Sequence, residues 1–457
     1  MKRRGTRRCA PRRRWWCGRS SLNTIRSQNQ QSKQVRAVGE NMRNRRFILL
    51  ALGCASIMAA QAPRYVGAGG CASSNCHGGT SAAEESVSRI WGNEYAIWSL
   101  NDKHAQAWKV LGDPRSKRMG EILKIADPQT DAKCTSCHAV GSPERSRSDG
   151  VACEACHGPA EKWLGPHTQR NSHATSVANG LIDTKNITIR ARMCLECHQG
   201  TKDKIVDHDL IAAGHPDLNF ELDTFTWAQP IHHRDPKPAA GNTMPRVRNW
   251  AVGQAAALAE GMRLLAARAQ RMWPEFAELE CYQCHHDLRL DSWRIQRGYG
   301  GRRPGSLQAN LARQEVLRTV IGVLAPDRKG PLEGALGSVS AAVSRLSDSG
   351  AVARAATAAA AEGDQLVARF AQTDFKPEQA RAAIRALVGD IARIANAGPH
   401  AAEVATMSLD ALTAAVAGQS QGAQAAIAPV YDYLEHPSTY QPGEFANLFR
   451  RAAGAAN

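Results

Sequence analysis

Four copies of one five-residue pattern constrain this 457-residue chain more than anything else in it. They are CTSCH (Cys134, Cys137, His138), CEACH (Cys153, Cys156, His157), CLECH (Cys194, Cys197, His198) and CYQCH (Cys281, Cys284, His285). C-x-x-C-H is the attachment signature of c-type haem. Two thiols form thioethers with the haem vinyl groups, and the adjacent imidazole binds the iron from the proximal side. A fifth candidate, CASSNCH, places four residues between Cys71 and Cys76 before His77; the longer loop can bulge and still present both sulfurs. Paired cysteines also build zinc sites, and ten cysteines in an exported chain could form five disulfides. The trailing histidine decides between these. With 15 histidines in 457 residues, one following all four close pairs by chance has a probability of roughly one in a million. About five covalently bound haem c groups are expected, with His77, His138, His157, His198 and His285 as proximal ligands.

The sixth position of each iron decides whether a haem passes electrons or binds a small molecule. Beyond the proximal residues the haem region holds His104, His167, His173, His208, His215, His232, His233 and His286, eight candidates for five positions. The excess favours bis-histidine ligation over methionine, because Met119, Met193, Met244, Met262 and Met272 mostly sit in apolar helical patterns that suit core packing. Trp98, Leu100, His104 and Trp108 recur at near-helical spacing, which would put the His104 imidazole on the apolar face of a helix. His167 follows His157 by ten residues, close enough to cap a neighbouring haem. His215 lies in the turn-rich AAGHPDL, and one of His232 and His233 in QPIHHRD completes the expected set. His173, His208 and His286 rank lower, His286 because it adjoins a proximal ligand. His400 and His436 are expected on the solvated surface.

Charge points away from nucleic acid once it is located. The formal net charge is +16, but residues 1–46 hold 15 Lys/Arg against a single acid, and the rest of the chain has 43 basic and 41 acidic residues. A basic body able to track a phosphate backbone is absent. Residues 42–62, MRNRRFILLALGCASIMAAQA, combine a basic start, an apolar stretch of about 14 residues and small residues at the end, the pattern of a secretory signal peptide. That stretch falls short of the ~20 residues of a spanning helix, so no membrane span is expected in the mature chain. Cys54, after Leu52-Gly53, offers a lipoprotein alternative. Residues 1–41 read as an upstream extension without folded structure. Haem c is attached outside the cytoplasm, so the expected location is the periplasm. Two propionates per haem would turn the mature chain's charge to about −3 when oxidised and about −8 when reduced.

Residues 65–225 resemble the tetrahaem cytochrome c-554 type of periplasmic nitrogen-cycle multihaem cytochromes. The likeness lies in the Tyr65-to-His77 segment, KHAQAW with His104, the short gap between CTSCH and CEACHGP, and GPH with His167. It implies that His104 and His167 are distal ligands, that haems stack in close pairs, that one haem lacks a sixth ligand, and that the donor is a hydroxylamine oxidoreductase. The four-residue spacing of the first motif, the fifth motif and everything beyond about residue 226 depart from that pattern.

The remaining chain predicts a mainly α protein: a multihaem cytochrome c domain with sparse secondary structure over 63–295, a Gly/Arg-rich linker at 296–305, and an Ala-rich helical domain over 306–457. Residues 246–273 read as an amphipathic helix ending before Pro274. Five or six helices are expected beyond the linker, broken near Pro326, Gly350, Pro377, Pro399 and Pro429. No phosphate-binding glycine loop, serine-hydrolase elbow or H-E-x-x-H pattern occurs. The expected function is electron transfer with redox partner proteins, such as a hydroxylamine-oxidoreductase-like donor or a membrane quinone-linked cytochrome. The alternatives are an oxidoreductase acting on hydroxylamine or nitrogen oxides at one five-coordinate haem, and a subunit docked through its helical domain. No C-x-x-C-K motif is present, which argues against the lysine-ligated ammonia-forming nitrite reductases.

Overall fold

The computed structural model describes residues 62–82, 90–233, 244–286, 289–296, 303–418 and 421–455. The upstream extension, nearly all of the expected signal peptide and most of the linker lie outside these residues. The chain from Gln61 onward forms one compact unit. It is mainly helical. Among the described residues no strand forms, and the isolated bridges Val140–Val151 and Leu279–Ala309 are the extent of β pairing. No helix among them is long and apolar enough to cross a membrane.

The first part consists of short helices joined by 3-10 turns: α1 (Glu94–Asn101), α2 (Pro114–Leu123), α3 (Ala132–His138), α4 (Cys153–His157), α5 (His173–Ala178), α6 (Ile187–His198), α7 (His208–Ala212) and α8 (Leu222–Ala228). The helix expected through His104 is interrupted. α1 stops at Asn101, where Asp102 turns extended and its carboxylate accepts from the His104 amide, starting a separate 3-10 turn at Lys103–Gln106. A side chain that caps a new turn outcompetes continuation of the old helix. Leu100, expected on the apolar face, is 79% exposed.

The long helix α9 (Pro245–Arg271) matches the expected amphipathic segment, starting on a proline at its first position. After α10 (Trp293–Gln296) come α11 (Glu315–Leu324), α12 (Lys329–Val343), α13 (Ser349–Gln372), α14 (Pro377–Asn396), α15 (Pro399–Ala417), α16 (Gln421–Leu434) and α17 (Pro442–Ala455). Pro377 and Pro399 begin helices as expected. Pro429 breaks none; it lies inside α16. The break expected near Gly350 falls just before it, at Leu346 with φ 45°, and two other breaks replace that at Pro429, at Gly418 with φ 74° and at the 3-10 turn Pro437–Thr439, so this part contains seven α-helices among the described residues.

One hydrophobic core runs from Ala191 to Ala453 and joins α6, α8 and α9 to the later helices. Before Ala191 the buried apolar residues among those described are Ala68, Ala105, Leu111, Ala152, Ala160 and Trp163. The largest helix contact is that of α13 along α9, and it closes on Gly363. A Cβ there would lie 2.8–2.9 Å from the backbone and Cβ of Ala259. The Gly363→Leu variant is therefore expected to be destabilised by about 2–3 kcal/mol through overpacking. Gly389 in α14 has nothing within 4 Å of its would-be Cβ, and Gly389→Ala is expected to gain up to about 1 kcal/mol. Chemical denaturation of the haem-loaded protein, followed by helical ellipticity, compares the two.

Candidate functional site

Three motifs sit on helices. CTSCH ends α3, CEACH is α4, and CLECH ends α6. The fifth begins in a 3-10 turn, Cys281–Gln283, and closes with the His285 amide donating to the Cys281 carbonyl at 3.0 Å. The first motif reaches an equivalent closure by a longer path. Its loop folds back through the Cys76 and Gly78 amides, which both donate to the Ser73 carbonyl at 2.9 Å, and the His77 amide then reaches the Cys71 carbonyl at 3.3 Å. Histidine amide to first-cysteine carbonyl is the bond that the four-residue spacing cannot form helically and forms anyway. After CEACH, Gly158 has φ 79°, and a Cβ there would lie 2.5 Å from the Gly180 carbonyl oxygen, so the glycine of CEACHGP permits both the left-handed turn and the close crossing.

The imidazoles are arranged in pairs. His77 and His167 have ring centroids 6.2 Å apart with planes at 17°; His104 and His198, 6.1 Å and 83°; His138 and His215, 6.4 Å and 88°; His208 and His285, 6.1 Å and 29°. Two metal–imidazole bonds of roughly 2 Å plus two ring radii of roughly 1.1 Å give ~6.2 Å between centroids across one metal ion. Among the described residues His157 faces no single ring in this way; the imidazoles of His232, His77, His233 and His167 are near enough for their charge to act on it. His232 and His233 are themselves 5.6 Å apart.

The free nitrogens fit the same role. His138, His167, His215 and His232 direct Nδ1 to the carbonyls of Ala107, Leu164, Pro216 and Pro230, and His77 directs Nδ1 to Glu94 Oε2 at 2.9 Å. An imidazole anchored through Nδ1 presents Nε2 as the ligand, the arrangement that fixes tautomer and ring orientation in metal-ligating histidines.

A cavity of about 2990 Å³ is lined by the first four motifs together with His104, His167, His215, His232 and His233. Ordinary small-molecule pockets span about 300–1,000 Å³, so this space suits several large flat groups. Its wall carries orphaned donors: Trp163 Nε1 and Arg190 Nε are buried without a partner, positions where the carboxylates of a porphyrin would restore hydrogen bonds. The fifth motif lies outside it. His285 and Tyr282 line a separate cavity of about 730 Å³ with Trp293, Arg294, Tyr440 and Gln441. The residues present fit covalently held haem.

Electrostatics agree. Burial, reinforced by neighbouring imidazoles, pushes His157 down to about 4, and burial does the same to His198; both rings are neutral donors at physiological pH. Burial holds Cys156 up to about 12 and Cys194 and Cys281 up to about 11. The ten motif cysteines form no disulfide. Among the described residues the one His/Cys/Asp/Glu group close enough for a small metal ion is Asp217, Cys281 and His400, so no two C-x-x-C pairs converge on a zinc tetrad. Thiols of different motifs do approach each other: Cys71 is in hydrogen-bond contact with Cys153, and Cys137 with Cys197.

Sequence reasoning ranked His208 low, yet it stands opposite His285. Its backbone amide donates to Glu275 Oε1 at 2.9 Å, which ties the start of α7 to the segment leading into the fifth motif. Nothing in the local sequence of His208 signals this; the pairing bridges 77 positions. His173 Nε2 lies 3.2 Å from Asp183 on an exposed site. His400, expected in solvent, is half-buried with Nδ1 3.1 Å from Asp217. Met244 and Met262 are buried in the core, as expected.

Residues 71–158, which span the first three motifs, match the family model for cytochrome c554 and c-prime. No curated protein and no solved structure matches the chain. Over that segment the chain resembles the cytochrome c-554 family, and it is a multihaem c-type cytochrome carrying covalently bound haem c.

Proposed function

We propose that the protein is a periplasmic electron-transfer cytochrome with five bis-histidine haems, attached at the Cys71/Cys76, Cys134/Cys137, Cys153/Cys156, Cys194/Cys197 and Cys281/Cys284 pairs. The observation that carries this reading is the opposition of four proximal imidazoles to second imidazoles at 6.1–6.4 Å. Haem would supply one-electron chemistry; the paired cysteines would attach it and two histidines would hold each iron, leaving no position where substrate could bind. In this reading His167, His215, His104 and His208 complete the first, second, fourth and fifth sites, and His232 completes the third, its Nδ1 being held by the Pro230 carbonyl.

Neighbouring motifs support conduction. The Cys71–Cys153 and Cys137–Cys197 contacts bring the first motif to the third and the second to the fourth, and Cys156 feels the charge of Cys194 and Cys197. Asp217, two residues beyond His215, lies against Cys281. The resulting order is first, third, fourth, second, fifth. Cys76 and Cys284, at the two ends of that order, are the exposed thiols of the set, which suits exchange with redox partners there. The helical region beyond the linker, through Tyr440 and Gln441, walls the fifth site.

The alternative, an oxidoreductase with one five-coordinate haem, has its foothold at His157, the proximal residue without a single opposed ring. Low-temperature electron paramagnetic resonance of the oxidised protein separates the two. Near-perpendicular imidazole planes leave two iron d orbitals nearly degenerate and near-parallel planes split them. Two classes of low-spin signal are therefore expected, the more anisotropic from the second and fourth sites and the rhombic from the first and fifth, all unmoved by nitrite, hydroxylamine or carbon monoxide. A high-spin component that shifts on ligand addition overturns the carrier reading.

A further inference from the structure

An axial imidazole binds metal through one nitrogen and shows the other to the protein, so the partner of that second nitrogen is under the control of the chain. His138, His167, His215 and His232 meet neutral backbone carbonyls. Two others meet carboxylates. His77 Nδ1 donates to Glu94 Oε2 at 2.9 Å, and His104 Nδ1 lies 3.0 Å from Asp102 Oδ1.

Both carboxylates are held in place by further bonds. Glu94 Oε1 accepts from the amides of Trp91 at 2.7 Å and Gly92 at 3.1 Å, and the Tyr95 amide donates to the His77 carbonyl at 2.9 Å. The first turn of α1 and the imidazole are thereby locked together. Asp102 is 4% exposed; its Oδ1 also accepts from the His104 amide at 2.9 Å and its Oδ2 from Gln229 Nε2 at 3.1 Å. Hydrogen bonds to the remaining lone pairs leave each carboxylate ionised and aimed at one ring.

We propose that Glu94 and Asp102 are positioning residues that lower the reduction potentials of the haems bound through His77 and His104. This rests on the bis-histidine reading. Sharing the Nδ1 proton with a carboxylate raises the basicity of the ligand, and a stronger donor favours ferric over ferrous iron, axial ligation and hydrogen bonding being the levers a protein has on haem potential. In a site of low dielectric the fixed negative charge acts in the same direction. Reduction adds one electron to the iron from an external donor; no bond is made or broken, and the proton stays on Nδ1.

The test is a mediated spectropotentiometric titration of the full haem-loaded protein and of E94Q, E94D and D102N. Glutamine keeps an acceptor for His77 and removes the charge. In E94Q one of the five components is expected to move to a more positive potential, with its reduced-to-oxidised ratio at the wild-type midpoint rising about tenfold, the difference between a charge-assisted and a neutral hydrogen bond. E94D keeps the charge and should stay close to the wild-type potential, and D102N should move a different component. Five low-spin haems with unmoved potentials in E94Q overturn the proposal and leave the bis-histidine reading standing. Loss of a haem, or a high-spin signal, shows that Glu94 merely holds the ligand and overturns it as well. Should D102N fail to accumulate, because Asp102 is buried, the Glu94 pair of variants decides. Wild-type protein without low-spin signals sinks the underlying reading before any variant is compared.

Discussion

Produced without attached haem, the chain is expected to lose ordered structure over residues 62–190 while α11 to α15 keep theirs. The early part has few buried apolar side chains among its described residues, mostly alanines with Leu111 and Trp163, and surrounds a cavity of about 2990 Å³. Those few buried apolar side chains cannot offset the conformational entropy of ordering that stretch, roughly 1–2 kcal/mol per residue, when the groups that would fill the space are missing. The later helices bury Phe370, Phe375, Phe445, Phe449, Leu332 and Ile321 almost completely without help from any cofactor. Hydrogen–deuterium exchange with mass spectrometry, on the chain with all motif cysteines changed to serine, makes the comparison. Unprotected amides in α2, α3 and α4 beside protected amides in α11–α15 are the expected pattern. Protection throughout would mean that protein packing alone supports the early region, and the fit between cavity and haem would lose its energetic basis.

This division also explains which parts of the molecule were legible beforehand. The C-x-x-C-H motifs are local, because spacing and order within them are set by the porphyrin, so they can be read without knowing the fold. The long helices read from apolar periodicity and from prolines at their first positions, as at Pro377 and Pro399. Pro429 misled because a proline can sit within a helix when packing holds the turn around it, and Ile427 and Val430 on either side are buried. His104 was picked out for an apolar helix face it does not occupy; what places it opposite His198 is the cap supplied by Asp102. Which imidazoles come to stand opposite one another was not legible at all, since it depends on where loops return. His77 pairs 90 positions ahead with His167, and His198 pairs back with His104.

His208 is the sharpest such case and carries the second large expected effect. On the proposed bis-histidine reading, His208→Ala should convert one haem from low-spin to high-spin and raise carbon monoxide binding from near zero to about one equivalent per chain, because an open sixth position is what that ligand needs. The geometry behind this is specific. Glu275 Oε1 accepts the His208 amide, Lys133 Nζ lies 2.8 Å from Asp207 Oδ2, and Arg268 Nη2 donates to the Val206 carbonyl at 2.6 Å. Residues 206–208 are thus pinned to α9, to α3 and to the segment entering the fifth motif. His286 is the rival closest in sequence, and its variant is the control: His286→Ala should leave every haem low-spin. Added imidazole should return the His208→Ala protein to the low-spin form, which a merely unfolded variant would not do. If His208→Ala stays low-spin while His286→Ala does not, the assignment at the fifth site moves to His286. If both stay low-spin, the fifth iron takes its ligand from neither, and the ring opposition at 6.1 Å does not mark an axial pair.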